Sequence, residues 1–129
     1  MLSRTAENLY WTGRYIERAE NIARILEVSR STSLQATEPT LAGRQGEWQS
    51  VLAVLGGPPE LSAGHLDGDA ITRHFTFENR PGSIFFCVLA ARDNARALRS
   101  VISTEMWESI NGTWLGMRDL GSGILDQAS

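Results

Sequence analysis

The sequence predicts an all-α fold, an antiparallel helical bundle built on two long helices with shorter helices between them. Apolar residues recur three and four positions apart along two long stretches, which is the spacing of a helix face. All 4 prolines lie between these stretches, and the β-branched residues are scattered instead of alternating as they would in strands. With 129 residues, of which 42% are hydrophobic and 21% charged, the chain is expected to form one soluble domain over residues 1–129.

The first long helix is predicted over residues 3–33, which contain no proline and a single glycine, Gly13, and where Ser3 suits the N-cap. Its apolar face is expected to form the core and consists of Leu9, Trp11, Thr12, Tyr15, Ile16, Ala19, Ile22, Ala23 and Leu26. The opposite, charged face consists of Arg14, Glu17, Glu20, Asn21 and Arg24. Glu20 and Arg24 are four residues apart, in the orientation that favours a helical ion pair.

Shorter elements are predicted after the first helix. Residues 36–43 are expected to form a loop. Residues 47–55 are expected to form a helix that ends at Gly56 and Gly57. A weaker pattern predicts a short helix over residues 69–75.

The second long helix is predicted over residues 82–111, with Pro81 in its first turn and Gly112 at its end. It carries an apolar seam with heptad-like spacing, which should pack against another helix. The seam consists of Ile84, Val88, Ala91, Ala95, Leu98 and Ile102. Residues 112–129, with several glycines, are expected to form a short helix and a loosely ordered tail.

A row of three arginines, Arg92, Arg96 and Arg99, runs beside this seam. Apolar residues also flank the row on its other side, so the three guanidinium groups are expected to be half-buried. The flanking residues are Phe85, Leu89 and Trp107. Half-buried guanidinium groups are costly unless carboxylates neutralise them. Two sources of negative charge remain open: Glu17 and Glu20 of the first helix, or an acidic or phosphate-bearing ligand.

The net charge and the content of cysteine and histidine argue against several classes of function. A net charge of -3 at pH 7 provides no general attraction for nucleic acid or an anionic membrane. Cys87 is the only cysteine, so an intramolecular disulfide is impossible and a reducing compartment is favoured. His65 and His74 lie in no catalytic motif and are expected at the surface. The polar start lacks the apolar stretch of a signal peptide, so we expect a cytoplasmic protein without a nucleic-acid or membrane partner.

Paired glutamates provide an alternative hypothesis. Glu17 with Glu20, and Glu105 with Glu108, are spaced to place two carboxylates on one helix face, as in helical enzymes that bind magnesium. The second hypothesis is therefore a metal-dependent all-α enzyme that acts on a nucleotide or an acidic small molecule. It is the weaker one, because no Glu-x-x-His pattern accompanies the pairs and nearby arginines would compete with a cation. Under the first hypothesis no metal and no cofactor are expected.

Two long segments resemble the signature segments of the bacterial alpha-E domain family. They are "MLSRTAENLYWTGRYIERAENIAR", residues 1–24, and "ARDNARALRSVISTEMWESIN", residues 91–111. The matching positions include Arg14, Glu17, Arg18, Glu20, Asn21, Arg24, Arg92, Asn94, Arg96, Arg99, Glu105, Trp107 and Glu108. The resemblance implies a helical domain. Members of the family are longer than this chain, so the chain is expected to be the amino-terminal part of a longer family domain.

The resemblance also implies a function, because the family is thought to act beside ATP-grasp peptide-ligase-like proteins. We therefore expect an accessory or binding module of such a system, with the ligase as its partner and no catalytic activity of its own. The expected ligand is an acidic peptide or a phosphate-bearing group, bound in a groove between the long helices. The groove is predicted to be lined by Arg14, Glu17, Glu20, Asn21, Arg24, Arg92, Arg96, Arg99 and Trp107. An incompletely covered apolar seam would also favour a homo-oligomer.

Overall fold

The computed structural model describes the backbone of residues 2–35 and 41–128 and the side chains of residues 2–32 and 43–122. These residues form six helices and no strand, which confirms the all-α prediction. The helices are α1, Leu2–Gln35; α2, Leu41–Leu55; α3, Pro59–Ser62; α4, Gly68–Phe77; α5, Ile84–Ala97; and α6, Thr104–Ala128. None of the helices in this described part is both long and apolar enough to cross a membrane.

Helix α1 provides one wall of the core. Its buried residues recur three and four positions apart, as the sequence predicts, and are Thr12, Ala19, Ile22, Leu26 and Ser29. The α1 residues Ala19, Ile22 and Leu26 belong to a buried cluster that also contains Trp48 and Val51 of α2, Ile71 and Phe75 of α4, and Cys87 of α5. The predicted apolar face is too wide, because Leu9, Trp11 and Ala23 are exposed. Ser3 lies inside α1 instead of capping it.

Local signals define the short helices between α1 and α5. Gly56 has a φ of 76°, and its N–H donates to the carbonyl oxygen of Leu52 at 2.9 Å, which ends α2 as predicted. Asp67 caps α4 by accepting from the N–H of Asp69 at 3.0 Å, and this confirms the short helix. Helix α2 begins earlier than predicted, at Leu41. Of the predicted loop, residues 36–40 lie outside the described residues and residues 41–43 are helical.

The predicted second long helix is wrong, because the structure has two helices there. Helix α5 begins after Pro81, where the hydroxyl of Ser83 accepts from the N–H of Phe86 at 3.1 Å. It ends at Ala97, and the carbonyl oxygen of Leu98 accepts from the N–H of Val101 at 2.8 Å in a turn. The turn falls in a run of serine, threonine and β-branched residues, 100–104, which are weak helix formers. Ser103 then accepts from the N–H of Met106 at 3.1 Å, which caps α6.

Helix α6 returns antiparallel to α5. Arg92 of α5 contacts Trp114, whereas Arg99, seven residues later, contacts Trp107. The helix continues through Ala128, so the short helix predicted after Gly112 is wrong. The loosely ordered tail stays a prediction, and Ser129 lies outside the described residues. Gly112 does not have the positive φ that would end a helix, and it lies within α6.

The seam of α5 is covered within the chain. Ala91, Ala95 and Leu98 are 1%, 0% and 2% exposed, and α5 packs against both α1 and α6. Ile84 and Val88 are half-buried. Ile102 is also half-buried, so the seam is fully covered only in its middle, and the homo-oligomer stays a prediction.

A glycine substitution tests the continuity of α6. Gly112→Ala should raise the free energy of unfolding by about 0.5–1 kcal/mol, because alanine favours a helix interior over glycine. An added Cβ at Gly112 would meet no atom within 4 Å. Urea denaturation measures the change. A loss of stability would show that Gly112 ends the helix in a left-handed conformation.

Gly68→Ala is the control of opposite sign. Gly68 begins α4, and an added Cβ would lie 2.5 Å from the ring of Trp48, which is only 7% exposed. The same substitution is therefore expected to lower the free energy of unfolding by about 1–3 kcal/mol through overpacking.

Candidate functional site

Side chains from α5, from α6 and from the turn between them form a surface of stacked arginines and tryptophans. The guanidinium carbon of Arg92 lies 4.4 Å from the ring centroid of Trp114, and that of Arg99 lies 4.8 Å from the ring centroid of Trp107. Arg92 and Arg99 are seven residues apart, as are Trp107 and Trp114, so the antiparallel helices bring the pairs into register. We call Arg92, Arg96, Arg99, Trp107 and Trp114 the arginine–tryptophan surface.

Arg92 is the only arginine of the row that is half-buried as predicted, with 22% of its side chain exposed. Its Nε donates to Oδ1 of Asn111 at 3.0 Å, and its Nη1 lies 3.6 Å from Oδ1 of Asp93. An amide, an exposed aspartate and an indole ring therefore surround this cation. The predicted partners, Glu17 and Glu20, do not contact it among the described residues.

Arg96 and Arg99 are exposed, so the predicted half-burial of these two side chains is wrong. These side chains are exposed because α5 ends at Ala97. Arg99 therefore lies in the turn that follows, and Trp107 lies on another helix. In the part of the chain that the structure describes, no ion pair neutralises Arg96 or Arg99. These two guanidinium groups are available to an external anion.

The charged face of α1 forms no ion pair with this surface among the described residues, although Glu20 lines a cavity between α1, α5 and α6. Glu17 pairs with Arg14 at 3.4 Å, with 60% and 48% of the two side chains exposed. Glu20, Asn21 and Arg24 are exposed, and no ion pair joins Glu20 to Arg24 within the described ranges. The predicted polar layer between the glutamates and the arginine row is therefore wrong. The single groove becomes two surfaces, and we call the second the α1 charged face.

Arg18 follows Glu17 at about 100° around α1 and is also exposed. Its guanidinium carbon lies 5.7 Å from the ring centroid of Tyr15, and that ring meets Phe86 edge-on at 6.3 Å. The adjacent Cys87 is 0% exposed. Burial raises the pKa of the Cys87 thiol, and the positive charge of Arg18 opposes this effect only in part. The thiol therefore stays protonated at neutral pH and is not an activated nucleophile.

The paired glutamates do not assemble a metal centre. Glu17, Glu20, Glu105 and Glu108 are all exposed, and nowhere in the described side chains do three or more His, Cys, Asp or Glu residues converge. The described side chains therefore do not support the metal-dependent alternative, which stays a prediction. The predicted surface position of His74 is wrong. Its side chain is largely buried, and its Nδ1 lies 3.0 Å from Oε2 of Glu78.

Sequence reasoning missed a large cavity between α4, the start of α5 and the second half of α6. The cavity has a volume of about 880 Å³, and Phe77, Phe85, Arg73, Arg80 and Arg118 contribute to its lining. We call it the α4–α6 cavity. It was missed because the region of Arg118 was predicted to be a tail. The sequence did contain a signal for Arg118. It follows Trp114 by four residues, so the two side chains share a face of a helix that continues past Gly112.

These features define an all-α domain whose long first helix displays a Glu-Arg dipeptide. The chain belongs to the Alpha-E family, described as a predicted alpha-helical domain with a conserved ER motif, whose model matches residues 1–129. This confirms the resemblance seen in the two signature segments. Glu17-Arg18 is the only Glu-Arg dipeptide in the sequence, and we therefore assign the motif to it. No curated protein and no solved structure matches the chain.

The two residues of the ER motif lie in different environments. Arg18 is exposed, but its guanidinium group lies over Tyr15, beside the contact between α1 and α5. Glu17 faces outward and pairs only with the exposed Arg14 among the described residues. A conserved charged side chain at the surface indicates a contact outside the domain.

Substitution of Glu17 tests whether it holds the fold. Glu17→Ala should change the free energy of unfolding by less than about 1 kcal/mol, because exposed ion pairs contribute little. Arg92→Ala is the comparison and should cost more, since a half-buried hydrogen bond and an aromatic contact are both lost. Denaturant unfolding measures both. A cost of 2 kcal/mol or more, roughly that of breaking a partly buried ion pair, would contradict the surface position of Glu17.

Proposed function

We propose that this domain is a binding module that recognises an acidic, peptide-like ligand on the arginine–tryptophan surface, as an accessory to an ATP-grasp peptide-ligase-type system. The observation that carries the proposal is the stacking of Arg92 and Arg99 on tryptophan rings. Exposed Arg96 lies between them, and the nearest carboxylate to the row is Asp93, 3.6 Å from Arg92. The surface therefore carries more positive charge than its own acids neutralise.

Stacking on an indole ring prepares an arginine for a carboxylate ligand. The ring contacts the flat face of the guanidinium group, which leaves N–H groups at its edge able to donate to an anion. The stacking also restricts the long side chain before the ligand arrives, so less conformational entropy is lost on binding. A carboxylate can then accept two parallel hydrogen bonds from one guanidinium group.

The spacing of the arginines suits an extended acidic chain. Arg92 and Arg96 are four residues apart on α5, which corresponds to about 6 Å along the helix axis. In an extended peptide, alternate side chains point to the same side and are about 7 Å apart. Alternate acidic side chains of one strand could therefore reach successive arginines. An isolated phosphate would use only one of these positions, so a multivalent acidic ligand is favoured.

The family resemblance supports a peptide-ligase context, and Glu17 supports a partner contact. An acidic peptide-like chain is a plausible substrate or product for an enzyme that forms amide bonds. The α1 charged face, with exposed Glu17 of the ER motif, is the surface we assign to the ATP-grasp-type ligase. The domain would then hold the chain on one surface while the ligase binds the other.

Arg96→Ala tests the ligand surface. Binding of hexaglutamate should weaken about tenfold, because a charge-assisted hydrogen bond is lost. The circular dichroism spectrum should not change, since Arg96 is exposed. Calorimetry measures affinity, and quenching of tryptophan fluorescence reports proximity to Trp107 and Trp114.

Two controls make this experiment decisive. Arg44→Ala removes an exposed arginine from α2 and should bind hexaglutamate as the parent does. Hexaglutamine, which lacks the carboxylates, should not bind. If the Arg96→Ala variant folds and retains the affinity of the parent, the arginine–tryptophan surface is not the binding site.

Glu17→Ala tests the partner surface. Co-purification of the domain with the ATP-grasp ligase of the same organism should be lost in Glu17→Ala, because the outward carboxylate of the motif is removed. Glu27→Ala, an exposed glutamate of the same helix, is the matched control and should retain the ligase. Equal recovery of the ligase with both variants would remove Glu17 from the interface.

A further inference from the structure

The α4–α6 cavity has apolar walls and a cationic rim. Phe77 and Phe85 are half-buried in its walls, and Ala70 and Leu61 extend the apolar part. Its volume of about 880 Å³ is within the range of small-molecule sites, roughly 300–1,000 Å³. The cavity is open to solvent, so it can hold a ring against its apolar wall without enclosing it.

The charges at the rim do not cancel. Glu78 is the acidic residue of the lining, and its Oε2 lies 3.0 Å from Nδ1 of His74 and 3.2 Å from Nε of Arg80. Glu78 and Arg80 therefore largely neutralise each other, which leaves Arg73 and Arg118 as the cations of the rim. Arg73 has no ion pair among the described residues, and Arg118 lies 3.4 Å from the exposed Asp119. Exposed pairs of this kind are weak, so the rim attracts an anion.

We propose that the α4–α6 cavity binds an aromatic carboxylic acid. The ring of the ligand packs against Phe77 and Phe85, and its carboxylate accepts hydrogen bonds from the arginines of the rim. Both parts are needed, because an apolar ring alone leaves the cations unsatisfied and a small anion alone leaves the apolar walls exposed to water. This specificity follows from the cavity and does not require the arginine–tryptophan surface.

The ligand chemistry has two possible sources. One is a free aromatic acid. The other is the carboxy-terminal aromatic residue of an acidic peptide, and this source rests on the proposed function. Arg118 connects the two sites, because its guanidinium carbon lies 5.2 Å from the ring centroid of Trp114. From Trp107 to Gly121 the shared face of α6 extends about 21 Å, the length of about six extended residues.

The first experiment uses N-acetylphenylalanine and the full chain. Calorimetry should detect binding, and N-acetylphenylalaninamide and acetate, which each lack one part, should bind at least about tenfold more weakly. Arg73→Ala should reduce the affinity for N-acetylphenylalanine by a similar factor, because this exposed arginine of the lining has no ion pair among the described residues, whereas Arg44→Ala should not. Ala70→Leu, which fills the cavity from α4 with a good helix former, should also reduce binding. Equal binding of the acid and the amide, or unchanged affinity in the folded Arg73→Ala and Ala70→Leu variants, would overturn the proposal.

The second experiment separates the sources of the ligand. Acetyl-Glu-Glu-Glu-Phe should bind more tightly than both acetyl-Glu-Glu-Glu and N-acetylphenylalanine if the residue is a chain end, because the two sites are then occupied together. Equal affinity of the tetrapeptide and N-acetylphenylalanine would identify the free acid as the ligand. Arg96→Ala should weaken acetyl-Glu-Glu-Glu and leave N-acetylphenylalanine unaffected, so failure of the arginine–tryptophan surface is distinguished from failure of the cavity.

Discussion

The turn between α5 and α6 determines how the residues of the arginine–tryptophan surface come together. Leu98 is 2% exposed, and its carbonyl oxygen accepts from the N–H groups of Val101 and Ile102 at 2.8 and 3.0 Å. The burial of this side chain fixes the point at which the chain reverses. In an uninterrupted helix, Trp107 would lie about 22 Å beyond Arg92 along the axis. The reversal instead places the end of the second signature segment beside its beginning. It also directs α6 towards α4, and the α4–α6 cavity forms between these two helices.

Periodicity predicted the helices because helix faces are buried on one side, but it could not predict where a helix turns. The seam of α5 continues through Leu98 and Ile102 without a break in spacing, since the turn also buries apolar residues. Only the weak helix formers and Ser103 indicated the interruption. Gly112 led to the opposite error, because it predicted a helix end where α6 continues. Glycine ends a helix when its φ is positive, and that conformation depends on tertiary contacts instead of on residue type.

The residue types of the candidate site were predictable, whereas their partners were not. Arg92 was correctly expected to be half-buried because it lies beside an apolar seam, but its neighbours Asn111 and Trp114 come from a helix that the sequence pattern did not extend. Glu17 was expected to face the arginines because opposite charges attract, yet the direction of a side chain is set by the packing of its helix. For the same reason the sequence did not predict the α4–α6 cavity. The arginines of its rim are distant in sequence and lie in weakly patterned segments.

The stacked arginines also determine how salt would affect the binding proposed for this surface. Arg96 and Arg99 are exposed, and dissolved ions screen the attraction between exposed charges over about 10 Å at 0.1 M salt. Arg92 has 22% of its side chain exposed, and partly buried charges are screened much less. If an acidic chain binds there, the contribution of Arg96 and Arg99 would therefore fall with rising ionic strength, whereas Arg92 would retain more of its contribution.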